Sequence, residues 1–223
     1  IILLGPKRVG KSSLMEDFTG ATGHATTETI QLETATIDER QYVIIDTPGF
    51  DIENGKKTFY MIHSCIQELR DQVHNWGVLY VASAKLGSSI ESIDRQLLQF
   101  IDDFCGQGFA PNITLVVTHW NWNHDREKNK MMKHMETRIK FWESFLNNGA
   151  QLFHHGRTDR SGHEMIDFRC WYEERAELAQ CARNMIARHY GDTEARTPLY
   201  VQELRQGIAT QHTSAGFFID PPT

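Results

Sequence analysis

The sequence predicts an α/β domain with a mostly parallel six-stranded sheet and helices on both faces, three layers in all. Three observations carry that expectation. Short, nearly uninterrupted apolar runs recur: IILL at 1–4, QYVIID at 41–46, WGVLYVAS at 76–83 and NITLVVT at 112–118. Strands buried on both faces read this way, whereas a strand with one solvated face alternates. Between them lie longer segments with apolar residues at helical spacing, the order that produces parallel strands joined by crossover helices. Finally, a glycine-flanked stretch, GPKRVGKSS at 5–13, stands where the first apolar run hands over to the first helix.

The elements follow in order. IILL is a short strand, and a helix starts near Lys11. QLETATI (31–37) alternates, as an edge strand does, and Asp38-Glu39-Arg40 turns the chain into the strand at 41–46. Residues 56–73 read as a helix and 76–83 as a buried strand. In SIESIDRQLLQFIDDF, Ile90, Ile93, Leu97, Phe100, Ile101 and Phe104 fall on one helical face. A buried strand follows at 112–118. Met131, Met135, Ile139, Trp142 and Phe145 or Leu146 then give one helix over 125–147. AQLFHH (150–155) is the sixth strand, and 164–190 a long last helix. The domain is expected to span 1–190. Residues 191–223 form an extension that packs on it or trails from it, with a short helix in 201–209 and an extended end in SAGFFIDPPT.

The bulk numbers narrow the function. The chain has 223 residues, enough for one such domain with a full core. A formal net charge of -6 argues against a general nucleic-acid binder, which needs a positive footprint. No apolar run reaches the length of a membrane span, and no signal peptide is visible. Cys65, Cys105, Cys170 and Cys181 show no framework spacing and read as reduced thiols, so a cytoplasmic location is expected. The chain opens on a strand rather than on Met, as a trimmed domain does.

Parallel sheets of this kind bind ligands outside the carboxyl ends of their strands, which puts the loops after residues 4, 46, 83, 118 and 155 on one rim. The first of these loops matches G-x-x-x-x-G-K-[ST] in its required setting, between strand and helix. Gly5 and Gly10 let the backbone curl so that its N–H groups, Val9 among them, face phosphate oxygens, and the helix N-terminus adds a favourable dipole. Lys11 is placed for the β- and γ-phosphates, the Ser12 hydroxyl for Mg²⁺ and Ser13 for the α-phosphate. Asp46-Thr47-Pro48-Gly49 ends the third strand. Asp46 is expected to hold Mg²⁺ through water, and the Gly49 N–H to sense a γ-phosphate. In HATTETIQ, Thr27 is the chosen hydroxyl to complete the Mg²⁺ shell, with Thr26 and Thr29 as rivals. The histidines make neither HExxH nor a Cys/His spacing, so zinc is not expected.

With these motifs in hand, the chain resembles the AIG/GIMAP-type GTPases, relatives of septins and of the chloroplast-import GTPases. The likeness rests on GxxxxGKSS, TTETIQ, IIDTPGFD and LGSSIESIDRQLLQFIDDFCG. It covers roughly residues 1–156, and TPLYVQELRQGIATQHTSAG in the tail is similar to fungal versions of the domain. The resemblance implies a three-layer P-loop G domain that binds GTP and GDP with Mg²⁺ and hydrolyses GTP slowly. It also implies a homodimer formed across the nucleotide face in the GTP state. The roles of Lys11, Ser12, Thr27, Asp46 and Gly49 carry over residue by residue.

VTHW at 117–120 is similar to the chloroplast-import form of the base-recognition motif, with Thr118 and His119 in its first two places. Asn121 stands where a carboxylate would accept from guanine N1–H and N2–H₂. An amide offers one acceptor and one donor and cannot accept both protons. Xanthine suits it better, and Asn123 or Asp125 is close enough to substitute. Of the indoles of Trp120 and Trp122, one is expected to cover the core and the other to stack on a purine. His154-His155-Gly156 is the last base-side loop, where His155 and its neighbours offer backbone N–H groups to guanine O6.

The place after DTPG, where many GTPases carry a water-orienting Gln, is Phe50, and Asp51 beside it is repelled by a γ-phosphate. Fast intrinsic hydrolysis is therefore not expected. Lys7 and Arg8 stand where the family tends to have small residues. The bland reading has both pointing away as surface charges. The sharper one makes Arg8 an arginine finger acting in trans across a dimer, with His119 or His24 as weaker candidates. Three functions compete: a slow GTPase switch that dimerises, a nucleotide-binding module without useful turnover, and a P-loop ATPase or kinase.

Overall fold

The computed structural model describes residues 1–22, 28–51, 55–85, 92–122, 124–159, 165–168 and 174–218. Thr27, its rival Thr26, His24, Asn123 and the segment 86–91 lie outside them. The strands of the main sheet are β1 (Ile2–Leu4), β2 (Gln31–Ile37), β3 (Arg40–Asp46), β4 (Val78–Ser83), β5 (Ile113–Thr118) and β6 (Gln151–His154). They lie in the order β2-β3-β1-β4-β5-β6, every pair parallel except β2 with β3. The alternating segment at 31–37 is thus an edge strand, and the uninterrupted apolar runs are central.

Successive side chains on a strand face opposite sides, and β1 divides the core accordingly. Ile2 and Leu4 join a cluster with Phe59, Tyr80, Phe100, Trp142 and Tyr200. Leu3 points to the other side, among Val9, Phe18, Val81, Ala182 and Met185. The first cluster is covered by α2 (Gly55–Leu69), α3 (Ser92–Cys105) and α4 (Asp125–Phe141), the second by α1 (Lys11–Thr19) and α6 (Arg175–Tyr190). This is the α/β architecture that the sequence predicts.

Some element boundaries and types differ from expectation. The single helix over 125–147 is two, α4 and α5 (Glu143–Asn147), because Trp142 leaves helical geometry at φ −89 and ψ 1. The break seats its indole edge-on against the Tyr80 ring, with centroids 6.0 Å apart. The last helix does not begin at 164. Met165–Phe168 is a strand, β8, paired antiparallel with β7 (Arg157–Asp159), and α6 starts at Arg175. MIDF is short, with three apolar residues of four, and segments this short fit helix and strand periods alike.

The C-terminal helix α7 is Leu199–Arg205, opened by Pro198, which cannot sit inside a helix, and left behind at Gly207 with φ 78. Nor are residues 214–218 extended. Ser214 Oγ donates to the Asp103 carbonyl at 2.8 Å, Ala215 is fully buried, and the turn at Gly216–Phe218 brings Phe218 to 5.5 Å from the Phe100 ring. Among the described residues, no helix is long and apolar enough to cross a membrane.

Candidate nucleotide site

The site is assembled at the carboxyl rim, where β1, β3, β4 and β5 end side by side. Gly5 leaves β1 so close to β4 that a Cβ would stand 2.3 Å from the Val81 carbonyl oxygen, so only glycine fits. Gly10, at φ 90, opens α1 with no side chain capping the first turn. Its orphan amides are the donors that bind anions at helix starts. Ser13 follows in that turn and is half-buried.

Lys11 is buried, and its Nζ donates to the carbonyls of Pro6 at 2.9 Å and Gly5 at 3.2 Å. Burial lowers its pKa to about 8, while the nearby Asp46 carboxylate pulls it back up. The ammonium is thus folded onto its own loop, in a place where a phosphate would serve it better than two carbonyls. Ser12 Oγ donates to Asp46 Oδ2 at 2.6 Å, and Asp46 is fully buried. A hydroxyl and a carboxylate meeting beside a glycine-lined turn are the hard oxygen donors that Mg²⁺ takes. These residues fit the cation.

The segment after β3 closes against this loop. The Phe50 amide donates to the Gly5 carbonyl at 3.1 Å, and Pro6 and Phe50 form a parallel bridge. Gly49 is squeezed there: a Cβ on it would lie 2.5 Å from the Lys7 Cα. The Phe50 ring is buried 5.8 Å from Phe100, in the core rather than at the mouth. Lys7 is exposed, as a surface charge is, and its ammonium is ion-paired with Asp51. Arg8 is exposed and holds φ 62, a left-handed conformation that costs a non-glycine residue on the order of 1 kcal/mol.

On the base side, Thr118 Oγ1 donates to the carbonyl of the buried Val9 at 2.6 Å, tying β5 to the phosphate loop. His119 follows at φ 58, with Nδ1 2.9 Å from Ser83 Oγ. Its Nε2 is 3.8 Å from where a Cβ on Gly10 would be, so the ring lies beside the phosphate loop. Desolvation lowers its pKa, helped by Lys85 and His155, which keeps the ring neutral at pH 7. Trp120 is buried, its Nε1 donating to the Val117 carbonyl at 3.1 Å, with Arg157 over its face. Trp122 packs half-buried on the core with Lys128 Nζ 5.4 Å from its ring. Both indoles are engaged by the protein, and the ring that meets the phosphate loop is His119. Asn121 is exposed.

His155 is placed differently from expectation. Its amide donates to the Val117 carbonyl at 2.8 Å, extending the β5–β6 pairing. Its ring is buried, Nε2 3.0 Å from Asp17 Oδ2 on α1. The His155 amide, one of the backbone groups expected at the base edge, is therefore committed to β5, and its ring is turned inward. Asp17 and Ser83 were not legible as site residues. Nothing in the sequence marks a mid-helix Asp as buried, whereas Ser83, at a strand's carboxyl end, lay within reach of the rim argument.

Residues 1–119 match the family described as 50S ribosome-binding GTPase. The chain belongs to this GTPase family. It is a GTP-binding P-loop G domain. A curated relative, described as probable FAD-binding monooxygenase ltbD of Aspergillus luteorubrus, is 24% identical over 191 residues, 83% of this chain and 38% of that protein. The chain thus spans well under half of that relative's length. Among solved structures, Toc33 of Arabidopsis thaliana in complex with GDP and Mg²⁺ is 17% identical with a TM-score of 0.53, covering 88% of this chain and 86% of that one. A structure of the chloroplast translocon components atToc33 and psToc159, for whose GTPase activity dimerization is important, gives 16% and 0.58 over 88% and 84%. At these identities the likeness establishes the shared fold.

Proposed function

We propose that this GTPase domain is of the AIG/GIMAP type, with slow Mg²⁺-dependent hydrolysis of GTP and nucleotide-controlled dimerisation across its nucleotide face. The observation that carries the reading is the Ser12–Asp46 contact at 2.6 Å beside the buried Lys11. Ser12, Asp46 and Thr27 are the residues that hold Mg²⁺ in this proposal. When bound, the ion would supply positive charge that offsets negative charge on the phosphates. Gly5, Val9, Gly10 and Ser13 supply the backbone and hydroxyl cradle, Lys11 moves from the Gly5 and Pro6 carbonyls to the phosphates, and the Gly49 amide senses the γ-phosphate. Thr118 and His119 line the base side and Asn121 meets the base edge. His155 acts from beneath, holding its loop against α1.

Phe50 in the core leaves the chain without a water-orienting group at that position, so the slow rate follows from a missing part. Arg8, which is exposed, supplies positive charge to the transferring phosphate from the second copy. The same Phe50 favours the alternative, a nucleotide-binding interaction module with no useful turnover. A cytoplasmic, nucleic-acid-independent protein with a domain over 1–190 and an extension over 191–223 completes the proposal.

Single-turnover GTP hydrolysis over a hundredfold range of protein concentration tests it. A rate that rises with concentration supports the dimerising GTPase. Tight GTP binding with a flat, negligible rate supports the module. Competition by ATP in place of GTP for a fluorescent guanine nucleotide would overturn both.

A further inference from the structure

We propose that Ser83 is the positioning residue of the base-side histidine: its hydroxyl donates to His119 Nδ1 and fixes the tautomer that carries its proton on Nε2, so that His119 presents an N–H donor to an acceptor oxygen of the nucleotide. The inference rests on the nucleotide site proposed above. Ser83 ends β4 opposite Thr118 in the parallel β4–β5 pairing, and the Ala84 amide on the Thr118 carbonyl carries that pairing one step further. His119, just after β5, turns at φ 58, and its Nδ1 lies 2.9 Å from Ser83 Oγ. Its Nε2 is left beside the phosphate loop, 3.8 Å from where a Cβ on Gly10 would stand.

The hydrogen bonds around Ser83 decide the tautomer. Ser83 is buried, and among the described residues its side-chain oxygen has two polar partners, the Lys85 backbone N–H and His119 Nδ1. The Lys85 N–H donates to it at 3.2 Å. Of these two partners, only the Nδ1 lone pair of a neutral ring can accept the hydroxyl proton. The opposite tautomer would make Nδ1 the donor and leave the Ser83 proton without an acceptor in a buried place, which is costly. Thr118 Oγ1 lies 3.5 Å from the same nitrogen, but its proton goes to the Val9 carbonyl at 2.6 Å, with the Ala82 carbonyl at 3.1 Å. Burial, with Lys85 and His155 adding to it, keeps the ring neutral and Nδ1 able to accept. The outcome suits the ligand. Phosphate and ribose oxygens are acceptors, and they meet a donor instead of the bare lone pair that the other tautomer would turn toward them.

The test reads the ring and the affinity separately, on the whole chain. In the free wild type at pH 7, the nitrogen NMR signals of the His119 imidazole, assigned by their absence from His119→Asn, should show a protonated Nε2 and a bare Nδ1. Ser83→Ala should give a mixture of the two tautomers, and Ser83→Thr, which keeps the hydroxyl, should restore the wild-type spectrum. With Mg²⁺, Ser83→Ala should weaken binding of GDP and of the non-hydrolysable GMPPNP about fivefold to tenfold each, and Ser83→Thr should stay within about twofold of the wild type. In the His119→Asn background Ser83→Ala should cost nothing further, because the contact it removes is already gone. Should Ser83→Thr fail to fold, that double variant decides. A wild type that binds neither nucleotide overturns the functional reading, and with it the part of His119 in binding. A wild type that binds both, but carries the His119 proton on Nδ1 or loses no affinity in Ser83→Ala, overturns the role of Ser83 alone.

Discussion

The Ser12 hydroxyl donates to Asp46 Oδ2 at 2.6 Å, joining the first turn of α1 to the last residue of β3, 34 residues away. A bound Mg²⁺ would take oxygen from both, from Asp46 through water. Ser12→Ala and Asp46→Asn should each leave the fold intact and raise the Mg²⁺ concentration needed for tight GTP binding by about tenfold or more. Chelating Mg²⁺ from the wild type should cost more affinity for GTP than for GDP. Nucleotide titrations at fixed free Mg²⁺ check both.

Lys11 sets a pH dependence whose sign follows from burial. Its pKa is lowered from 10.5 to about 8 in the free protein. The free domain therefore bears the penalty of a buried charge below pH 8, and that penalty fades as the pH rises toward 10.5. Phosphate oxygens favour the charged amine, so the bound form keeps its proton above pH 8. Binding then takes up a proton, and GTP affinity should fall by about tenfold per pH unit above pH 8. Calorimetry in buffers of different ionisation enthalpy should register that uptake at pH 9 and not at pH 7. Lys11→Ala, binding weakly at every pH, should lose the slope.

Much of this arrangement was legible in the residues themselves. Apolar runs without alternation located the central strands, and alternation in QLETATI located the edge. GxxxxGKS and DTPG together implied that Ser12 and Asp46 meet. Pairings that depend on register were not legible. Lys7 finds Asp51 only because Pro6 pairs with Phe50, and no local pattern encodes that bridge. His155 turns inward because Asp17 is buried on α1, and a single Asp among LMEDF has the same spacing whether it faces core or solvent. MIDF at 165–168 was too short for periodicity to separate helix from strand.

In the proposed site Asn121 meets the base edge. Its amide can accept one of guanine's two edge protons but presents a donor to the other, a mismatch worth about 1–3 kcal/mol. Asn121→Asp restores two acceptors. Affinity for GTP relative to XTP should rise about tenfold or more, since 1.4 kcal/mol is tenfold. Asn121 is exposed, so the substitution should leave the melting temperature unchanged. A GTP-to-XTP ratio unmoved by Asn121→Asp would assign guanine recognition to another side chain of the loop, Asp125 first.

Arg8 is exposed and keeps a left-handed backbone that glycine would adopt at less cost. A finger acting in trans gives a reason for retaining a long cation there: it contributes nothing to the copy that carries it and stabilises charge on the phosphate of the other. Arg8→Ala should therefore leave GTP affinity within about twofold while abolishing the acceleration of hydrolysis with protein concentration. Arg8→Gly separates backbone from side chain. It should match Arg8→Ala in hydrolysis and exceed it in thermal stability, because the left-handed conformation is then free of strain. In mixtures with Lys11→Ala, a copy that keeps its arginine, labelled GTP on the Arg8→Ala copy should be cleaved faster than in Arg8→Ala alone. Cleavage rates equal to wild type in Arg8→Ala alone would remove Arg8 from the reaction.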